Sequence, residues 1–278
     1  VLTDDLSRTF SSTDVFRRAD VLTAAVIQPG SVTELQEVMR LCARHQAPTV
    51  VRGGGASYTD AYLPVRAGTL TLDMSRLTRI EINAQDLYVT VEPGVTWASL
   101  HAAVGAQGLR TPMWGPFSGL AATVGGGMSH YAVNYGSGLY GVSAESLLGM
   151  DVILASGEML STGSGGGLGS LPFFRHYGPD LTGLFVGDAG ALGVKARMTL
   201  RLMHKPAGFA ASSFGFPTGE SCLKALMEIA RLGVVAQNFG LDPRQQKTAL
   251  TRMQSANPLD AARSVFLSAP NPWDGAVQ

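Results

Sequence analysis

Two glycine runs hold the residues best suited to chemistry in this chain: RGGGASY at 52–58 and TVGGGMSH at 123–130. Glycine lacks a Cβ, so backbone can approach a ligand closely and successive N–H groups can converge on one anion. A diphosphate, with its two negative charges, is the group that such loops suit. Either run taken alone is equally well read as a tight turn. A third segment, GSGLYG at 136–141, matches G-x-G-x-x-G. No strand precedes it and no periodic helix follows, so it lacks the βαβ setting of a Rossmann site.

Other chemistry is sparse. The five histidines are dispersed, with no His-x-x-x-His pair and no paired carboxylates, so no metal site is expected. Ser129 precedes His130, but adjacent residues rarely form a nucleophile–base pair, and there is no G-x-S-x-G elbow. His130 is a candidate to face a ligand at the second glycine run, against the plainer reading of a supporting group. Tyr58, Tyr131, Tyr135 and Tyr140 are candidates to position a substrate, or are packing aromatics. No residue is assigned as catalytic.

The elements that must position these loops are legible from periodicity. SVTELQEVMRLCARHQ places apolar residues at 35, 38, 39 and 42, a helical spacing, with Ser31 and Glu34 placed as a capping box. Residues 48–52 read as a strand running into the first glycine run. TLTLDMS (69–75), 77–82 and LYVTVEPG (87–94) read as further strands, the last ending in a Pro-Gly turn. WASLHAAVGAQG (97–108) is a helix stopped by glycine. Periodicity then disappears from 109 to 145. An apolar strand pair spans 146–160, GSGGGLGS (163–170) reads as a surface turn, and residues 192–203 alternate as a strand. Residues 1–25 are polar and mixed. Beyond Pro206, SCLKALMEIARLG is an amphipathic helix. The expected class is α+β.

Composition sets limits. The 278 residues are 45% hydrophobic and carry no net charge, with no basic cluster, which gives no electrostatic basis for nucleic-acid binding. The 15% charged residues fall below a typical domain, a sign of much covered surface. Two distant cysteines provide no disulfide framework, and the reading places the protein in a reducing, cytoplasmic compartment. The first residues hold no signal-peptide core, and no apolar run is long enough to span a membrane.

At this point the residues resemble a known family, the FAD-linked oxidases with a vanillyl-alcohol-oxidase or PCMH-type FAD-binding domain. The matching segments occur in order: AVIQPGSVTEL (25–35), VVRGGGASY (50–58), LTLDMSRLTRI (70–80), VTVEPGVTWASL (89–100), PFSGLAATVGGGMS (116–129), YGVSAESLLGMDVILASGE (140–158) and LFVGDAGALGV (184–194). The resemblance implies an FAD-binding domain over 1–205, with α+β subdomains at about 1–100 and 101–205, and an incomplete α+β cap at 206–278. Arg52, Gly53, Gly54, Gly55, Ala56, Ser57 and Tyr58 would bind the diphosphate. Pro116, Ser118, Thr123, Gly125, Gly126 and Ser129 would line the other side toward the isoalloxazine. Gly193 and Val194 would lie near the adenine. Members that attach FAD covalently often have histidine after the three glycines; Ala56 stands there, so non-covalent FAD is expected. An acidic residue usual in the family's GDAG segment is replaced by Ala189.

The activity implied is hydride transfer from a small-molecule 2-hydroxy acid or alcohol to the flavin, and then electron transfer to oxygen or another acceptor. Two alternatives remain: a non-catalytic FAD-binding subunit of a larger complex, and a flavoenzyme transferase without net redox change. A substrate carboxylate would need a cation, for which Arg52, Arg110 and Arg175 are candidates. Residues 206–278 are too short for a complete cap, so more chain, a second copy or a second subunit is expected to complete the site.

Overall fold

The computed structural model describes residues 1–133, 135–166 and 171–241. The chain begins with α1 (Asp5–Ser11), capped by the Asp4 carboxylate, which accepts from the Ser7 N–H. β1 (Ala25–Ile27) leads into α2 (Val32–Arg44). The Ser31 side chain caps α2 by accepting from Glu34 N, while the Glu34 carboxylate reaches one residue further back than a capping box, to the Gly30 N–H at 2.7 Å. Leu35, Met39 and Cys42 are its buried face, as the spacing requires.

β2 (Thr49–Arg52) and β3 (Leu70–Asp73) join β1 in a parallel sheet of order β1-β3-β2. Parallel pairing places α2 as the crossover between β1 and β2. β4 (Ile80–Asn83) and β5 (Tyr88–Val91) form an antiparallel pair, followed by α3 (Trp97–Gly105), β6 (Leu109–Arg110), α4 (Val124–Ser129) and α5 (Ser137–Tyr140). β7 (Leu147–Ile153), β8 (Met159–Ser161), α6 (Leu181–Leu184), β9 (Val194–Arg201), β10 (Met203–His204) and α7 (Gly219–Leu232) complete the chain.

The second sheet is antiparallel, of order β4-β5-β9-β7-β8, and so draws strands from both sides of residue 100. β9 is its centre, pairing Val89 with Leu200 on one side and Met150 with Met198 on the other. One face packs on α3 and α4 through Val91, Trp97, Leu100, Val124, Met128 and Met198. A second core lies under α2, where Leu35, Leu72 and Leu77 meet Ile153, Val194 and Ala196. The two sheets are thereby joined through side chains at one end of β7 and β9. β6 pairs with β10, and α7 beyond it has no buried residue. No helix among the described residues is long and apolar enough to cross a membrane.

Candidate functional site

The first glycine run leaves β2 directly, so strand pairing with β3 fixes where it starts. Its glycines are required by contact. A Cβ on Gly54 would fall on the Ala121 carbonyl just before the second run, and a Cβ on Gly53 would strike the Thr123 hydroxyl. Gly55 has φ +67°, a left-handed conformation that side chains resist. The second run is fastened to the Pro93–Ala98 turn. Val124 N donates to Val95 O (2.8 Å), Trp97 N to Ala122 O (3.1 Å) and Ala98 N to Gly119 O (3.0 Å). Thr123 caps α4 by accepting from Gly126 N at 3.2 Å.

Where these parts meet is a cavity of about 580 Å³, lined by Arg52, Gly53, Gly54 and Thr123 from the two runs, by Ala121 just before the second, and by Ser75, Thr78, Gly94, Val95, Thr96 and Ser99. The structure therefore brings together four of the residues singled out from the sequence. Gly55, Ala56 and Ser57 are not among its lining residues, and Tyr58 is 71% exposed. Pro116 and Ser118 shape the approach to the second run through their carbonyls, which accept from Gly119 and from Ala121 and Ala122. Gly125 is buried against Pro93, to whose carbonyl it donates. Gly193 and Val194 are buried at the start of β9, against Val152 and paired with Ile153, and do not line the cavity.

The segment before β9 reaches the site indirectly. Gly187 N donates to Met128 O and Ala189 N to Ser129 O, so this segment braces the end of α4. A buried ion pair, Lys195 to Asp188 at 2.5 Å, holds it. Burial lowers the Lys195 pKa, and Asp188 opposes that shift. Surrounding protein and then the Lys195 ammonium lower the His130 pKa, favouring neutral imidazole. The acid of the GDAG segment is thus Asp188, with Ala189 beside it at φ +53°.

Three arginines were candidates to hold a carboxylate. Arg175 is engaged by Asp180 at 2.9 Å and the Ala144 carbonyl at 2.9 Å. Arg110 lies over Trp114 at 4.6 Å and donates to the Tyr140 hydroxyl at 3.1 Å. Arg52 is only 6% exposed, and among the described residues no acid pairs with it and its Nε has no acceptor. Tyr135 stacks on Trp114 with ring centroids 6.2 Å apart, a packing role. Ser75, Thr78, Thr96 and Ser99 escaped sequence reasoning; the available signal was the Pro93-Gly94 turn followed by the Thr96 cap of α3.

Residues 23–163 match the sequence profile of the family described as "FAD binding domain". The chain is an FAD-linked oxidase family member, with the PCMH-type FAD-binding domain. FAD is the cofactor of that domain. The chain is 32% identical to glycolate oxidase subunit GlcD of Bacillus subtilis over 182 residues, 66% of this chain and 37% of that protein. It is 30% identical to a probable mitochondrial D-lactate dehydrogenase of Danio rerio over 213 residues, 75% of this chain and 41% of that protein. An alkyldihydroxyacetonephosphate synthase structure superposes with a TM-score of 0.69 at 17% identity, over 91% of this chain and 51% of that one, which shows the shared fold. The chain spans less than half the length of the curated relatives it matches.

The residues that line the cavity fit an anionic cofactor such as FAD. A buried guanidinium without a counterion is costly unless an anion joins it. Among the described residues the N–H groups of Gly54, Gly55 and Ala56 have no protein acceptor and are available to phosphate oxygens. Ala56 carries no atom able to form a covalent link.

Proposed function

We propose that this chain forms the FAD-binding part of an enzyme that oxidises 2-hydroxy acids or related alcohols. The observation that carries the reading is the buried, unpaired Arg52 at the edge of a cavity walled by both glycine runs. The relatives named for glycolate and D-lactate supply the substrate class. Arg52, Gly53 and Gly54 hold the diphosphate from one side, and residues 55–58 continue the loop beside it. Thr123, with Pro116, Ser118, Gly125, Gly126 and Ser129, forms the other side, and Gly193 and Val194 support the adenine end. When bound, FAD supplies the hydride acceptor at flavin N5 and passes electrons on to oxygen or another acceptor. The residues fix the cofactor's position by charge and N–H donors that are set before it arrives.

FAD is held non-covalently, since the position after the three glycines is Ala56. A second subunit or further chain covers the flavin, as the word "subunit" in a relative's name suggests. Two separated cysteines, one of them buried, favour a reducing compartment such as the cytoplasm.

The test is an anaerobic titration of the purified, FAD-loaded protein with glycolate, D-lactate and simple alcohols. Bleaching of the yellow absorbance by a hydroxy acid is the expected result. Bleaching only after a partner protein is added would assign the chain to a non-catalytic subunit, and protein that takes up no flavin would overturn the proposal.

A further inference from the structure

The matched family domain begins at residue 23, yet the segment before it is built onto the first glycine run. Val15 N donates to Ser57 O at 3.0 Å, and the Asp60 N–H donates to Asp14 Oδ2 at 3.1 Å. Arg17 pairs with Asp60 at 2.6 Å. The buried Tyr62 hydroxyl lies near two carbonyl acceptors, Gly55 at 3.0 Å and Thr13 at 3.3 Å, which links the arm of the glycine run to the N-terminal segment.

The aromatic groups of this assembly converge on Arg52. Its guanidinium carbon lies 4.6 Å from the centroid of Phe10 and 5.6 Å from that of Tyr62. Phe10 is 64% exposed, so its ring is poorly explained as core. An aromatic face attracts a guanidinium without accepting its in-plane N–H groups, so these groups stay available to an anion. Pairing with a carboxylate would have taken two of these N–H groups and offset the charge.

We propose that residues 4–20 are a positioning element for the cofactor, in which Phe10, with Tyr62, holds the Arg52 guanidinium ready for the FAD diphosphate. Phe10 is a positioning residue, acting through Arg52. The inference rests on the FAD reading above, and the experiment separates their failures.

FAD dissociation constants are measured by fluorescence titration for the whole chain and for Phe10→Leu, Phe10→Trp, Arg52→Gln and the Phe10→Leu/Arg52→Gln double variant. Phe10→Leu keeps the bulk and loses the aromatic face; it should weaken FAD about three- to tenfold, while Phe10→Trp should retain wild-type affinity. In the Arg52→Gln background Phe10→Leu should add nothing, and Arg52→Gln should flatten the salt dependence of binding. A purely structural role would make Phe10→Leu cost the same in both backgrounds, and that result overturns the inference. So does equal binding by the wild type and Phe10→Leu. Where Arg52→Gln binds too weakly to measure, the Leu-versus-Trp contrast decides alone. A wild-type chain that takes up no FAD sinks the functional reading itself.

Discussion

Gly54 is the residue at which one methyl group matters most. An alanine there would drive its Cβ into the Ala121 carbonyl, backbone against backbone, with no flexible side chain to give way. The two runs must separate, at a cost of about 1–3 kcal/mol for overpacking. Gly54→Ala is expected to lower the chemical denaturation midpoint and to purify with little flavin, which absorbance measures directly. Tyr62 makes a different prediction. Burial pushes its pKa up to about 12. The folded protein therefore keeps the phenolic proton over a range in which the unfolded chain has lost it. Stability is fully present below pH 10 and falls as pH rises from 10 toward 12, by up to about 3 kcal/mol. Unfolding free energies measured across that window should show this loss in the wild type, and Tyr62→Phe should lack it.

Among the elements, α4 depends most visibly on a single cap. Thr123→Ala removes the acceptor for Gly126 N, and should cost about 1 kcal/mol. Thr123→Ser should restore it, both read as shifts in denaturation midpoint. How much of this level could be read from sequence varied with the physics of each element. α2 was legible because Leu35, Met39 and Cys42 must share one face, and β9 because VKARMTLR alternates apolar and polar residues, although the structure buries all of it but Arg197 and Arg201. α1 was not: DLSRTFS carries no apolar period, and the helix is held by Asp4 and by contacts to the rest of the N-terminal segment. The glycine run after β2 was visible as a loop that could meet an anion. Its contact with Ala121 was not, because nothing local in either segment encodes the other. Ser75 and Thr78 were hidden for another reason, since serine and threonine beside turns are ordinary. The lasting signal for Gly193 and Val194 was family resemblance, and the structure places them in the core beneath the site.

For the whole molecule, a site assembled from the two glycine runs and the Pro93 turn exists only in the folded state. A ligand of such a site stabilises by mass action, about 2.7 kcal/mol at a hundredfold excess over its dissociation constant. Thermal melts with and without FAD should therefore differ by roughly 5–10 °C. Riboflavin, which lacks the diphosphate, should produce a smaller shift. The strand order β4-β5-β9-β7-β8 carries a further consequence. Tyr88, paired with Asn83 on one side, finds its second partner only at Arg201, so the centre of the sheet is the last of its strands to leave the ribosome. Until then the β4–β5 ribbon waits with an open edge, and such edges invite pairing with other chains. Long-range pairing of this kind folds slowly. A change that weakens β9 should therefore reduce the soluble yield of the protein before it alters cofactor affinity.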